Sequence, residues 1–257
     1  MNNEEIINRV ISKRDFSLIP LEDILLAYKK FERRQCSDEE KIRLTRDLLR
    51  KVYSAFISGK LLSIKDKDES WFLRKHLSTS ERLIYYPEVY KRIFKDLDKC
   101  SVIDLGSGIN GFSYNFFPKG VSYMGVEAVG QLTNLMNFYF EKENLDAKAV
   151  HESLFNLEKI KELIKNTKKP RVIFLFKVID SLEMLEGDYT KRLLKEIIPL
   201  CERITLSFAT RSMIKKDKFK VNRKWIIDFI KENFELLDDF EIGNEQYIIF
   251  KEKFKFK

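Results

Sequence analysis

From about residue 100 onward, short apolar runs alternate with stretches of helical character, and this alternation restricts the fold more than any other feature of the sequence. The runs lie at 102–105, 122–126, 147–150, 172–176 and 203–208, with two more at 235–240 and 246–251. Parallel neighbours need a long connection, which a helix fills, so five runs separated by helices imply a parallel sheet with right-handed crossovers. The final two runs are joined through Ile242-Gly243-Asn244-Glu245. A Gly-Asn turn between strand-like runs predicts an antiparallel hairpin. The expected class is α/β, a Rossmann-like seven-stranded sheet closed by a C-terminal antiparallel hairpin.

The first hundred residues read as helical instead. PLEDILLAYKKFERR (20–34) starts on a Pro suited to a helix beginning and places Leu21, Leu25, Tyr28 and Phe31 on one face. SDEEKIRLTRDLLRKVYSAFIS (37–58) opens with Ser37 and Glu40 at capping-box spacing and carries an apolar stripe of Ile42, Leu49, Val52, Tyr53 and Phe56. Arg43, Arg46 and Arg50 fall together on another face, a candidate phosphate contact. Two domains are expected, a helical and basic one over 1–97 and an α/β one over 98–257.

The formal charge of +8 favours a polyanionic partner through counterion release. Cys36, Cys100 and Cys201 are scattered and odd in number, which reads as reduced thiols of a cytosolic protein. His76 and His151 are the two histidines, and no Cys/His cluster has metal-ligand spacing, so no metal site is expected. MNNEEIINRV has acids where a signal peptide has bases, and no apolar stretch approaches membrane-spanning length. A soluble, cytoplasmic protein is the expectation.

SVIDLGSGINGF (101–112) is the stretch with a specific chemistry. An apolar run ends in Asp104, and Gly106, Gly108 and Gly111 complete a Gly-x-Gly-x-x-Gly spacing. Such a loop lets the backbone approach a nucleotide-like cofactor, either a dinucleotide or S-adenosylmethionine. Glu127, at the end of the next run, can accept both ribose hydroxyls in either class. Asp104 separates the two, because dinucleotide fingerprints place an apolar residue there, whereas an acid suits the ammonium at the methionine end of S-adenosylmethionine. Glu152 and Ser153 follow the third run, and a resemblance to class I methyltransferases, which hold the adenine amino group there, implies that role for them. The terminal hairpin agrees with S-adenosylmethionine and with the class I methyltransferase fold.

Other segments carry a resemblance. His76-Leu77-Ser78-Thr79-Ser80-Glu81-Arg82 resembles the His-x-Ser-Thr-x-Glu-Arg segment of the small-subunit (16S) rRNA guanine-N7 methyltransferases that confer aminoglycoside resistance. VIFLFKVIDSLE (172–183), LSFATRSM (206–213), a Lys-rich loop, Trp225 and IGNEQYIIFKE (242–252) continue it in order, so the similarity covers roughly residues 70–252. Departures include Gly106-Ser107-Gly108 where the family commonly has Ala-Cys-Gly or Gly-Cys-Gly, Asn110-Gly111 for Asn-Pro, and Ala209 for a Pro.

The resemblance implies methyl transfer from S-adenosylmethionine to guanine N7 of 16S rRNA by a monomer whose amino-terminal helices dock on the small ribosomal subunit. It implies that Arg82 lies near the cofactor carboxylate, which a guanidinium can grip in a fork. Ser78 and Glu81, at capping-box spacing, would fix the helix that presents it. Lys177 would stand at the edge where the target base enters. Arg211, Lys215, Lys216 and Lys218, with Lys220, Arg223 and Lys224, would clamp rRNA phosphates, and Trp225 could stack on a base or join the core. Another RNA such as tRNA, a small-molecule substrate, or a non-catalytic RNA-binding role stays open from sequence.

Overall fold

In the computed structural model the described residues are 3–13, 16–53, 67–210 and 223–253. The expected alternation is present. Strands β1 (Ser101–Leu105), β2 (Ser122–Glu127), β3 (Ala147–His151), β4 (Arg171–Phe176) and β5 (Arg203–Ala209) are followed by β6 (Phe234–Ile242) and β7 (Glu245–Glu252). They form one sheet in the order β3-β2-β1-β4-β5-β7-β6. β1 to β5 pair in parallel, and β7 inserts antiparallel between β5 and β6. Every residue of β1 and β4 is buried. That is why these strands read as unbroken apolar runs, since a parallel sheet is covered on both faces. The β6–β7 turn has Gly243 at φ 63°, a left-handed conformation that glycine adopts without strain.

The crossovers run through α7 (Gly130–Lys142), α8 (Leu157–Lys165), the pair α9 (Ile179–Leu185) and α10 (Tyr189–Ile197), and α11 (Lys224–Asn233). Ahead of the sheet come α1 (Asn3–Ile11), α2 (Leu21–Glu32), α3 (Asp38–Tyr53), α4 (Glu69–Lys75), α5 (Leu77–Arg82) and α6 (Tyr86–Ile93). Among the described residues no helix is long and apolar enough to cross a membrane.

These amino-terminal helices divide between the two faces of the sheet. Ile6, Val10, Ile24, Ile42 and Leu49 join one core with Ile103, Leu105, Ile173 and Leu206. Phe72, Tyr86 and Tyr90 join the other with Val102, Tyr123 and Phe174. The period of two along β1 and β4 sends alternate side chains to opposite cores. Helices and sheet therefore share both cores, and the Leu18 carbonyl accepts the Gly130 N–H at the start of α7 at 3.1 Å.

Two local expectations are corrected. The buried face of α2 is Asp23, Ile24, Ala27 and Tyr28, while Leu21 and Leu25 are exposed. The helix is rotated by about one residue so that Asp23 points inward. On α3 the stripe is buried at Ile42, Leu49 and Val52, and Phe56 lies outside the described residues. Ser37 does accept the Glu40 N–H at 3.2 Å. At the second proposed capping box, α5 is capped by His76, Ser78 bonds the His76 ring at 2.8 Å, and Glu81 pairs with Lys177. A distant cation captures the Glu81 carboxylate, so no box closes there.

Candidate functional site

A cavity of about 360 Å³ opens where β1, β2 and β4 end and the amino-terminal helices lean over them. Open α/β sheets bind ligands at this place, beyond the carboxyl ends of their strands. Its floor is the glycine loop. Gly106 and Gly108 have φ of 74° and 54°, and a Cβ on Gly106 would meet Val178 Cγ2 at 2.5 Å. The loop is held to β2 by the N–H groups of Gly106 and Ser107, which both donate to the Val126 carbonyl.

Glu127 completes that attachment. Its Oε2 accepts the Gly108 N–H and its Oε1 the Val129 N–H, each at 2.8 Å. Each oxygen keeps a lone pair, and the residue lines the cavity. Burial pushes its carboxyl up to about 7, against the pull of the two N–H groups and with the push of nearby Asp104 and Asp23.

Arg82 also lines the cavity, but its fork is closed on a partner that the sequence did not announce. Nη2 donates to Glu245 Oε1 at 2.7 Å and Nε to Oε2 at 3.2 Å, with side chains 2% and 5% exposed. Nε also reaches the Tyr247 hydroxyl at 3.1 Å, and the guanidinium lies 4.7 Å from the Phe176 ring centroid. Burial alone would raise Glu245, yet Arg82 and Lys177 hold it below the usual carboxylate range. Lys177 follows β4 with φ 55°, and its Nζ lies 3.2 Å from both Glu81 and Glu245. Both cations at this end of the cavity are thus paired.

Asn110 links this cluster to Asp104. Its Oδ1 accepts from Arg82 Nη1 at 3.1 Å and from Tyr86 at 2.8 Å, while its Nδ2 donates to Asp104 Oδ2 at 2.8 Å. Tyr123 donates to the same oxygen at 3.0 Å. Asp104 is fully buried beneath the cavity rather than in its wall, and burial pushes its carboxyl up to about 6. Among the described residues its Oδ1 has no hydrogen-bond partner.

Glu152 and Ser153 stand beside the cavity and do not line it. Glu152 accepts from the Ser153 N–H at 2.8 Å, and the Ser153 hydroxyl donates to Asp23. Asp23, on α2, does line the cavity, together with Tyr53 from the end of α3.

Arg43, Arg46 and Arg50 line a second hollow of about 340 Å³ with Arg9 and Lys13. Arg43 pairs with Glu40 and Asp47, Arg50 with Asp47, and Arg46 donates to the Arg9 carbonyl. Burial, and after it the neighbouring Arg50 and Arg9 charges, lower the Arg46 pKa. Arg211, Lys215, Lys216, Lys218 and Lys220 lie outside the described residues. Arg223 forks onto Asp180, and Trp225 packs against the core with Lys191 over its ring at 5.4 Å. Among the described residues no group of three His, Cys, Asp or Glu could hold a metal.

Glu245, Asn110, Asp23 and Tyr53 are the site residues that sequence reasoning missed. Glu245 lay within a quoted motif, and its spacing from Arg82 carries no signal.

No protein-family model matches the chain. A 16S rRNA (guanine(1405)-N(7))-methyltransferase of Proteus mirabilis is 23% identical over 189 residues, which are 69% of this chain and 63% of that relative's length. The solved 16S rRNA methylase RmtB superposes with a TM-score of 0.80 at 18% identity, covering 98% of this chain and 99% of its own. The methylase RmtF, in complex with S-adenosyl-L-homocysteine, gives 0.79 at 16% identity over 98% and 100%. An rRNA methylase from Escherichia coli gives 0.78 at 18% identity over 98% and 100%. The fold is therefore the class I methyltransferase fold read from the sequence, shared over nearly the whole chain with these three rRNA methylases.

Proposed function

We propose that this chain is a monomeric, S-adenosylmethionine-dependent methyltransferase that modifies guanine N7 in small-subunit (16S) rRNA. The observation that carries the reading is the cavity itself: a glycine loop in left-handed conformation, pinned by a strand-end carboxylate that retains free lone pairs, in a fold shared with 16S rRNA methylases.

The residues present fit the cofactor. The backbone of Gly106 and Gly108 lines the cavity in left-handed conformation, Glu127 offers acceptors suited to ribose hydroxyls, and Asp104 Oδ1 is an orphaned buried acceptor beneath the loop. S-adenosylmethionine supplies an electrophilic methyl group when bound. Guanine N7 has a lone pair and no proton, so the protein has no proton to remove and its residues act by holding reactants at close range. Arg82 and Asn110 order the far end of the loop. The Arg82 fork is committed to Glu245, so it acts there by charge and by position rather than as an open clamp.

Lys177, held in a left-handed conformation by its N–H bond to the Ser207 carbonyl, marks the edge where the base enters. Arg43, Arg46 and Arg50, with Arg9 and Lys13, form the phosphate-docking surface. The segment bearing Arg211, Lys215, Lys216 and Lys218 is assigned a second set of phosphate contacts from its charge.

The test is transfer of labelled methyl from S-adenosylmethionine to isolated small subunits, tRNA and free nucleosides, followed by reductive strand scission at N7-methylguanine. Label confined to one 16S guanine is the expected result. Label in tRNA alone, or at a site that resists scission, overturns the reading.

A further inference from the structure

Asp23 is a buried acid that the proposed chemistry leaves without a task. It sits in the first turn of α2, is 1% exposed, and reaches the cavity from the amino-terminal helices. Its Oδ2 accepts from the Tyr53 hydroxyl at 2.5 Å and its Oδ1 from the Ser153 hydroxyl. The charged groups that face it are the carboxylates of Glu22, Glu152 and Glu127, and no cation among the described residues offsets it. Burying an unpaired carboxylate is costly, and the helix start relieves only part of that cost.

The position says which end of a ligand would meet it. Ser153 follows β3, while Glu245 lies on β7 and bonds Ser207 of β5. The sheet order puts Asp23 and the Arg82–Lys177 cluster at opposite ends of the cavity, with Glu127 between them. The cavity that Asp23 lines has an apolar wall that includes Ala128, Leu154, Phe155, Leu182 and Leu185. Such a wall suits the apolar faces of a planar heterocycle. A carboxylate offers about four acceptor sites, of which two are filled by hydroxyls, so those that remain call for N–H donors. Glu152 and Ser153, the residues expected at this end, are turned to the Ser153 N–H and to Asp23.

We propose that Asp23 reads the purine of the cofactor, its carboxylate accepting from the 6-amino group, so that the amino-terminal helices supply part of the cofactor site. This rests on the cofactor reading above. A 6-amino purine presents N–H donors to the carboxylate, whereas a 6-oxo purine presents an acceptor that the carboxylate repels. Sites built around such a hydrogen bond discriminate strongly against analogues that lack it.

The experiment is calorimetric titration of the full chain with S-adenosyl-L-homocysteine and with its deaminated analogue, S-inosyl-L-homocysteine. Wild type should prefer the adenosyl compound by at least about tenfold, and Asp23→Asn should narrow or reverse that ratio, because an amide can donate to the 6-oxo group. An unchanged ratio in Asp23→Asn overturns the proposal. So does equal binding of the two compounds by wild type, a result independent of whether the variant folds. Thermal melting without ligand separates lost recognition from lost structure. If wild type binds neither compound, the cofactor reading itself has failed.

Discussion

Glu127 fastens the glycine loop to the second strand by accepting the N–H of Gly108, nineteen residues earlier, at 2.8 Å. The same carboxylate accepts the Val129 N–H, so one side chain shapes the loop and offers its remaining lone pairs to the cavity. Glu127→Gln keeps the shape but turns an N–H₂ toward one of two backbone donors. The expected loss of affinity for S-adenosyl-L-homocysteine is about 1–3 kcal/mol, the cost of an unsatisfied buried group and a lost charged acceptor. Calorimetry on the folded variant checks it, and unchanged affinity rejects the ribose assignment.

Acidification should stabilise the free protein and weaken its ligand binding. Burial holds Glu127 at about 7 and Asp104 and Asp23 at about 6, above their unfolded values. The folded chain thus binds more protons than the unfolded chain up to about pH 7, and its stability increases as pH falls through that window. His76, held down to about 4 by burial and by the Arg82 and Lys177 charges, works the opposite way below its unfolded value. The gain is therefore clearest between about pH 8 and 6.5, where Glu127 dominates. Denaturant midpoints should increase over that step in wild type and change little in Glu127→Gln. Affinity for S-adenosyl-L-homocysteine should fall over the same step, because hydroxyl donors need an ionised acceptor. A wild-type midpoint that falls on acidification contradicts the assignment.

Arg82→Ala leaves Glu245 in the interior with Lys177 as its counter-charge and the Ser207 hydroxyl as a donor, and Glu245→Ala leaves Arg82 without its carboxylate. Each single change should cost about 3–5 kcal/mol in unfolding free energy, whereas Arg82→Met/Glu245→Met should cost less than either. Lysine at position 82 should recover little, since an ammonium cannot span both oxygens of Glu245. Urea unfolding of the four variants measures this directly. Additive losses in the double variant would show that the two side chains are energetically independent.

Neutralising Arg43, Arg46 and Arg50 together should flatten the salt dependence of RNA association. Each duplex phosphate left without its arginine reduces the log–log slope by about 0.9. Binding of S-adenosyl-L-homocysteine should hold, since the hollow these residues line is separate from the cofactor cavity. Filter binding to small subunits over a salt series provides the readout. An unchanged slope would reduce this face to solvated surface.

The strand pattern was most legible at β1 and β4, because parallel strands buried on both faces must be apolar along their whole length, and all seven runs became strands. The place of Glu127 at the cavity was legible from its position at a strand end after a glycine loop, whereas its bonds to the Gly108 and Val129 N–H groups were not. Asp23 was not. An acid in the first turn of a helix reads as a complement to the helix dipole, and α2 offers two apolar stripes one residue apart. Only the packing of α2 over the sheet selects the stripe that buries Asp23. The fork of Arg82 was misassigned for a related reason: its shape called for a carboxylate, and the chain supplies one from the terminal hairpin. Trp225 packs against the core, partly buried, beside Ile227 and Phe229 of the same helix.

The pairing of Arg82 with a residue 163 positions later sets an order of events during synthesis. At about 5–20 residues per second, Arg82 leaves the ribosome many seconds before its partner is made. Through that interval the guanidinium lacks the Glu245 carboxylate that accompanies it into the interior, while Glu127 and Val126, made earlier, already hold the glycine loop. Emergence of the last hairpin supplies β7 and Glu245 in one step. The nascent chain thus completes this end of its cavity only after the β6–β7 hairpin has been made, and a product lacking that hairpin would carry Arg82 without the carboxylate it forks onto.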